Sequence, residues 1–82
     1  MVEIILDPIF EDKVKKIKDS FTKVRIEKLI DKIINSPEIG KPMKYGRKGI
    51  REIYLGSFRL SYAYVKEGNK IILLDIYHKD QQ

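Results

Sequence analysis

The chain has 82 residues, 43% of them hydrophobic, and no cysteine, which fits one domain over residues 1–82 with a single apolar core and excludes disulfides and thiolate metal sites. The net charge of +5 is unevenly placed: residues 1–40 hold eight Lys/Arg and eight Asp/Glu, whereas residues 41–82 hold nine against four. Five of those cations, Lys41, Lys44, Arg47, Lys48 and Arg51, occur with no carboxylate between them, a one-sided field that points to a polyanionic partner.

"VEIIL" (Val2 to Leu6) reads as a short edge strand. In "DPIF", Asp7 is placed to cap a helix and Pro8 to occupy its first turn, where a missing N–H costs nothing. Phe10, Val14, Ile17 and Phe21 follow at helical spacing as one apolar stripe, opposite Asp12, Lys13, Lys15, Lys16 and Lys18. The pattern breaks near Asp19 to Thr22 and resumes with Ile26, Leu29, Ile30, Ile33 and Ile34, ending at "NSP". So short a break predicts an αα-hairpin. A glycine-punctuated connector, Glu38 to Gly49, carries the basic cluster. Three strands follow, Ile50 to Leu55, Phe58 to Lys66 and Lys70 to His78, joined by turns short enough for hairpins. The expectation is an α+β fold of order βααβββ, an antiparallel sheet with the N-terminal αα-hairpin packed on one face. Ile71 to Leu74, the longest uncharged apolar run, is far too short to span a membrane. No secretory signal is evident at the N-terminus, so a cytoplasmic location is expected.

On the middle strand, Phe58, Leu60, Tyr62 and Tyr64 share one face, and Arg59, Ser61, Ala63 and Val65 the other. The bulkier face should meet the helices, leaving Arg59 on the floor of a shallow concavity. Its guanidinium suits a phosphate; Asp75, on the neighbouring strand, is the alternative partner. His78 is the only histidine, and with no cysteine or second histidine no metal site is expected. "YHKD" (Tyr77 to Asp80) sets phenol, imidazole and ammonium groups where the last strand ends. Internal RNA cleavage by 2′-OH attack needs a base, charge stabilisation at phosphorus and an acid for the 5′-oxygen, without metal or cofactor. Glu52 is available as a base or as a surface partner for a neighbouring cation. No phosphate-binding glycine loop or Ser-His-Asp constellation is present.

The order βααβββ, the connector "GKPMKYG", "REIYLGSFRLSYAY" and the terminal "IYHKD" together resemble the RelE/ParE superfamily of type II toxins, especially small archaeal RelE-like members made with a RelB-type antitoxin. The motif Arg-x-x-x-Gly-x-(Tyr/Phe)-Arg-(Leu/Val)-x-Tyr is matched most closely over residues 51–64, with Arg51 offset by one position. The resemblance implies a ribosome-dependent mRNA endonuclease that inhibits translation and is neutralised in a hetero-oligomer with a RelB-like antitoxin. It maps the central-strand arginine onto Arg59, the position after the last strand onto His78 or Lys79, and connector lysines onto Lys41, Lys44 and Lys48. Catalysis is then expected from Arg59, His78, Lys79 and Tyr77, and RNA binding from Lys41, Lys44, Arg47, Lys48 and Arg51. Glu52 and Tyr54 stand where many relatives are basic, and a C-terminal tyrosine found in some members is absent, with Tyr77, Tyr45 or Tyr54 as substitutes. Two other readings stay open: a ParE-like inhibitor of DNA gyrase, and a non-catalytic nucleic-acid-binding partner protein.

Overall fold

Asp7 and Pro8 begin the first helix in the computed structural model, which describes residues 2–43 and 49–81. The Asp7 carboxylate accepts the Ile9 N–H at 2.9 Å, and helix α1 runs Pro8–Lys16. Asp19 repeats the device for α2 (Ser20–Asn35), accepting from the backbone of Phe21 and Thr22 and from the Thr22 hydroxyl. Each cap satisfies orphan donors of a first turn and so fixes where its helix starts. The break therefore lies at Ile17–Asp19, earlier than the apolar spacing suggests. Phe21 belongs to the first turn of α2 and not to the α1 stripe, and it stays 68% exposed beneath the Arg25 guanidinium.

The strands are β1 (Glu3–Leu6), β2 (Lys41–Pro42), β3 (Ile50–Leu55), β4 (Phe58–Val65) and β5 (Lys70–His78), in the spatial order β1-β5-β4-β3-β2. A short 3-10 turn, Lys79–Gln81, follows. Two features depart from expectation. β1 is an edge strand but pairs parallel with β5, making the sheet mixed. A fifth strand, β2, forms inside the connector, where Lys41 pairs with Glu52 and Pro42 with Arg51. Proline is tolerated there because the strand lies at the edge.

The helices cover one face of the sheet. Phe10, Ile26, Leu29 and Ile33 from the helices close with Leu60 and Tyr62 of β4 and Ile71, Leu73 and Ile76 of β5, all buried. At roughly 1.5–3 kcal/mol for each fully buried large side chain, this layer is the main source of stability. The β4–β5 ladder carries a bulge. Ser61 opposes Asp75 while Tyr62 opposes Leu73, leaving Leu74 as the extra residue. The bulge explains why the buried positions of β5 are Ile71 and Leu73 before it but Ile76 after it: one inserted residue exchanges the two faces. No helix among the described residues is long and apolar enough to cross a membrane.

Candidate functional site

The face of the sheet away from the helices gathers polar side chains around Arg59. Directly opposed residues share a face, and the ladders set Tyr54 and Tyr77 on either side of Arg59, with Glu52 opposite Ser61 one pair further along. Arg59 Nη1 lies 3.8 Å from Glu52 Oε1, and its guanidinium carbon sits 4.6 Å above the centre of the Tyr54 ring. The Tyr77 hydroxyl donates to the other Glu52 oxygen, Oε2. Glu52 is thus shared between a cation and a phenol, and its side chain is only 12% exposed, against 26% for Arg59. Partial burial strengthens these charge-assisted contacts relative to open water. Exposed Lys41, opposite Glu52 on β2, adds a cation at the rim.

The alternative partner of Arg59, Asp75, is engaged elsewhere. At the bulge, Asp75 Oδ1 accepts the Ile76 N–H at 2.7 Å and meets Lys13 Nζ of α1 at 2.8 Å. The inserted residue sets Tyr77, not Asp75, next to Arg59.

The sequence-predicted residues separate into groups. Arg59 and Tyr77 converge, with Lys41 near them. His78 does not join them: it pairs with Phe58, whose ring it meets edge-on at 5.6 Å between centroids, and so lies on the helix side, with Nδ1 3.5 Å from Asp80 Oδ2. Lys79 opens the 3-10 turn, donates its backbone N–H to the Ser57 carbonyl at 2.9 Å and leaves its ammonium exposed where the strand ends. Arg51 is a brace rather than an open cation. Its Nη1 donates to the carbonyls of Glu38 and Gly40 at 2.9 and 2.7 Å, and Nη2 lies 3.7 Å from the Glu38 carboxylate. Lys44, Arg47 and Lys48, together with Tyr45, lie outside the described residues. Glu52 and Tyr54 are the residues whose place in the cluster the sequence reading undervalued. The signal was available, since period-two alternation puts them on one face of β3.

The connector beside the site is held from below. Tyr62, wholly buried, accepts the Gly40 N–H at 2.9 Å and donates to the Pro37 carbonyl at 2.8 Å. Burial pushes its phenol above the ordinary tyrosine range, opposed by the Gly40 hydrogen bond and the Arg51 charge. Among the described residues no group of three His, Asp or Glu side chains could hold a metal ion.

An αα-hairpin over this sheet is an arrangement shared with solved chains of toxin–antitoxin complexes. The chain superposes on a chain of the intact E. coli RelBE toxin–antitoxin complex with a TM-score of 0.81 and 19% identity, covering 95% of this chain and 96% of that one. The YoeB/ParE toxin from Agrobacterium tumefaciens gives 0.82 and 15% over 94% and 98%. A chain of the archaeal RelE–RelB complex from Pyrococcus horikoshii OT3 gives 0.76 and 14% over 99% and 98%. The family described as the ParE toxin of the type II toxin–antitoxin system parDE matches residues 4–82, and the chain belongs to that family. No curated protein matches the sequence.

Proposed function

We propose that the chain is a ribosome-dependent mRNA endonuclease of the RelE kind that inhibits translation in the cytoplasm and is silenced by a RelB-like antitoxin. The observation that carries this reading is the Glu52 carboxylate shared between Arg59 and Tyr77 on the open face of the sheet. Cleavage joins the 2′-oxygen to phosphorus and breaks the bond to the 5′-oxygen. Glu52 takes the 2′-OH proton, Arg59 bears the charge that builds on the phosphorane, and Tyr77 or Lys79 returns a proton to the leaving oxygen. Tyr54, 55% exposed beneath the guanidinium, offers a ring on which an unstacked base can rest. Lys41 steers the phosphate backbone. His78, on the helix side, has no part in the proton transfers.

A silencing partner has a place to dock. Leu6, Phe10, Val14, Ile26 and Ile30 line an open apolar groove of about 280 Å³ along the helices, a shape suited to an amphipathic segment. The structural neighbours include RelB-type complexes, which supports an antitoxin of that kind and a hetero-oligomer.

The test is cell-free translation followed by primer extension on ribosome-bound message. Wild-type chain should produce internal breaks, and Arg59→Ala and Glu52→Gln should each lower the rate about 100-fold or more, the usual worth of one electrostatic or acid–base group, while remaining folded. Full cleavage by Arg59→Ala would overturn the assignment. The family description favours a second reading, a ParE-like poison of DNA gyrase; inhibited supercoiling with intact message would select it.

A further inference from the structure

Helix α2 presents a second cationic feature, on the side of the sheet opposite Arg59. Arg25, Lys28 and Lys32, spaced by three and four residues, line one edge of an open depression of about 240 Å³ whose remaining walls are Leu29 and Leu55. No carboxylate lines it. On α1, Lys13 and Lys15 have acidic partners, Asp75 and Glu11. Among the described residues Arg25, Lys28 and Lys32 have no ion pair; Arg25 is held instead over the Phe21 ring at 5.6 Å. The guanidinium lies against the β3–β4 turn: a Cβ on Gly56, itself at φ +58°, would stand 3.5 Å from Arg25 Nη2, an ordinary contact distance.

We infer that the Arg25–Lys28–Lys32 stripe binds the phosphate backbone of a double-stranded RNA segment, a contact separate from the Arg59 cluster; the choice of RNA rests on the nuclease reading above. Seven residues of helix advance about 10 Å at 1.5 Å each. Phosphates recur about every 3.4 Å of helix axis along each strand of a DNA duplex, and somewhat more closely in A-form RNA, so a stripe lying along the axis spans roughly three of them. An amphipathic protein segment would find less here, because Leu29 is already buried and Leu55 half-buried, whereas the groove along the helices offers it exposed Leu6 and half-buried Val14 and Ile30. The two cationic features lie on opposite sides of the β3–β4 hairpin. A folded RNA can meet both by presenting a single strand to Arg59 and a duplex to α2.

The experiment is fluorescence anisotropy of a short 2′-O-methylated RNA duplex, which cannot be cleaved, at salt concentrations between about 50 and 200 mM. The triple variant Arg25→Gln, Lys28→Gln, Lys32→Gln should lower the slope of log affinity against log salt by about 2 to 3, three contacts at roughly 0.7–0.9 each. A control of equal charge change, Lys16→Gln, Lys18→Gln, Lys66→Gln, should move it by less than about one. Thermal melting confirms that both variants fold, and Lys28→Gln alone, expected to shift the slope by about 0.7–0.9, serves if the triple does not. Equal losses in the two triples, or unchanged duplex binding with lost binding to an acidic peptide, would overturn the inference. A wild-type chain that binds duplex through the stripe yet leaves translated message intact would sink the nuclease reading and keep this one.

Discussion

Removing a single oxygen from Tyr62 tests how the connector is attached to the core. Tyr62→Phe keeps the ring and its packing but deletes the atom that accepts from Gly40 and donates to Pro37. The Pro37 carbonyl, half-buried, can regain water, at a net loss of about 1 kcal/mol. The Gly40 N–H is buried and cannot, so it adds roughly 1–3 kcal/mol for an unsatisfied donor. The sum, about 2–4 kcal/mol, is a large share of the 5–15 kcal/mol typical of a domain. At about 4–8 °C per kcal/mol for a chain of this size, the melting temperature should fall by roughly 8–30 °C. A second arm uses pH. Burial raises the Tyr62 pKa above its ordinary 10.0, so the folded chain holds this proton more tightly than the unfolded one. The contribution is complete below about pH 10 and is lost as pH rises toward the folded-state value. Wild type should therefore lose stability over that alkaline range faster than Tyr62→Phe does. A melting shift under about 4 °C, or identical alkaline slopes, would show that the clamp is not what holds residues 37–40.

Two further predictions concern the same framework. Gly40→Ala would place a Cβ 2.6 Å from the Tyr62 oxygen, 2.8 Å from its ring and 3.0 Å from Arg51 Cβ; since the ring is wholly buried, overpacking should destabilise the chain by about 1–3 kcal/mol in urea unfolding. Asp19 is held below its ordinary 3.8, chiefly by the Thr22 hydroxyl; desolvation, next in size, opposes this, and the Phe21 and Thr22 amides add to the lowering. Its contribution is present above about pH 3.8 and is lost as pH falls through the lower folded-state value, so Asp19→Ala should melt lower than wild type at neutral pH by calorimetry, with the gap closing in acid.

The elements of this fold are legible because local chemistry states them twice. Asp7 with Pro8 marks one helix start and "NSP" one helix end, and alternation along Phe58 to Val65 assigns Arg59 to the open face. What could not be read is register. One residue inserted at Leu74 exchanges the faces of β5, bringing Tyr77 to Arg59 and sending His78 to the helix side. The broken alternation of "IILLDIYH" is the trace of that insertion, but a charge inside a strand does not announce a bulge. Glu52 was missed as the centre of the cluster for a related reason: its importance comes from neighbours on two other strands, not from its own surroundings in sequence. Arg51 shows the reverse case. A cation in a basic run reads as a ligand for phosphate until the carbonyls of Glu38 and Gly40 prove to occupy it.

The parallel pairing of Glu3 with Lys70 joins strands that lie at opposite ends of the chain. β5 stands between β1 and β4, so β1 has no strand neighbour until β5 has been made. The same nine residues, Lys70–His78, also deliver Tyr77. Loop-closure entropy opposes so distant a contact until other pairings have gathered the chain. Completion of the sheet and assembly of the Glu52–Arg59–Tyr77 cluster are therefore one event, and a nascent chain lacking its final strand carries neither.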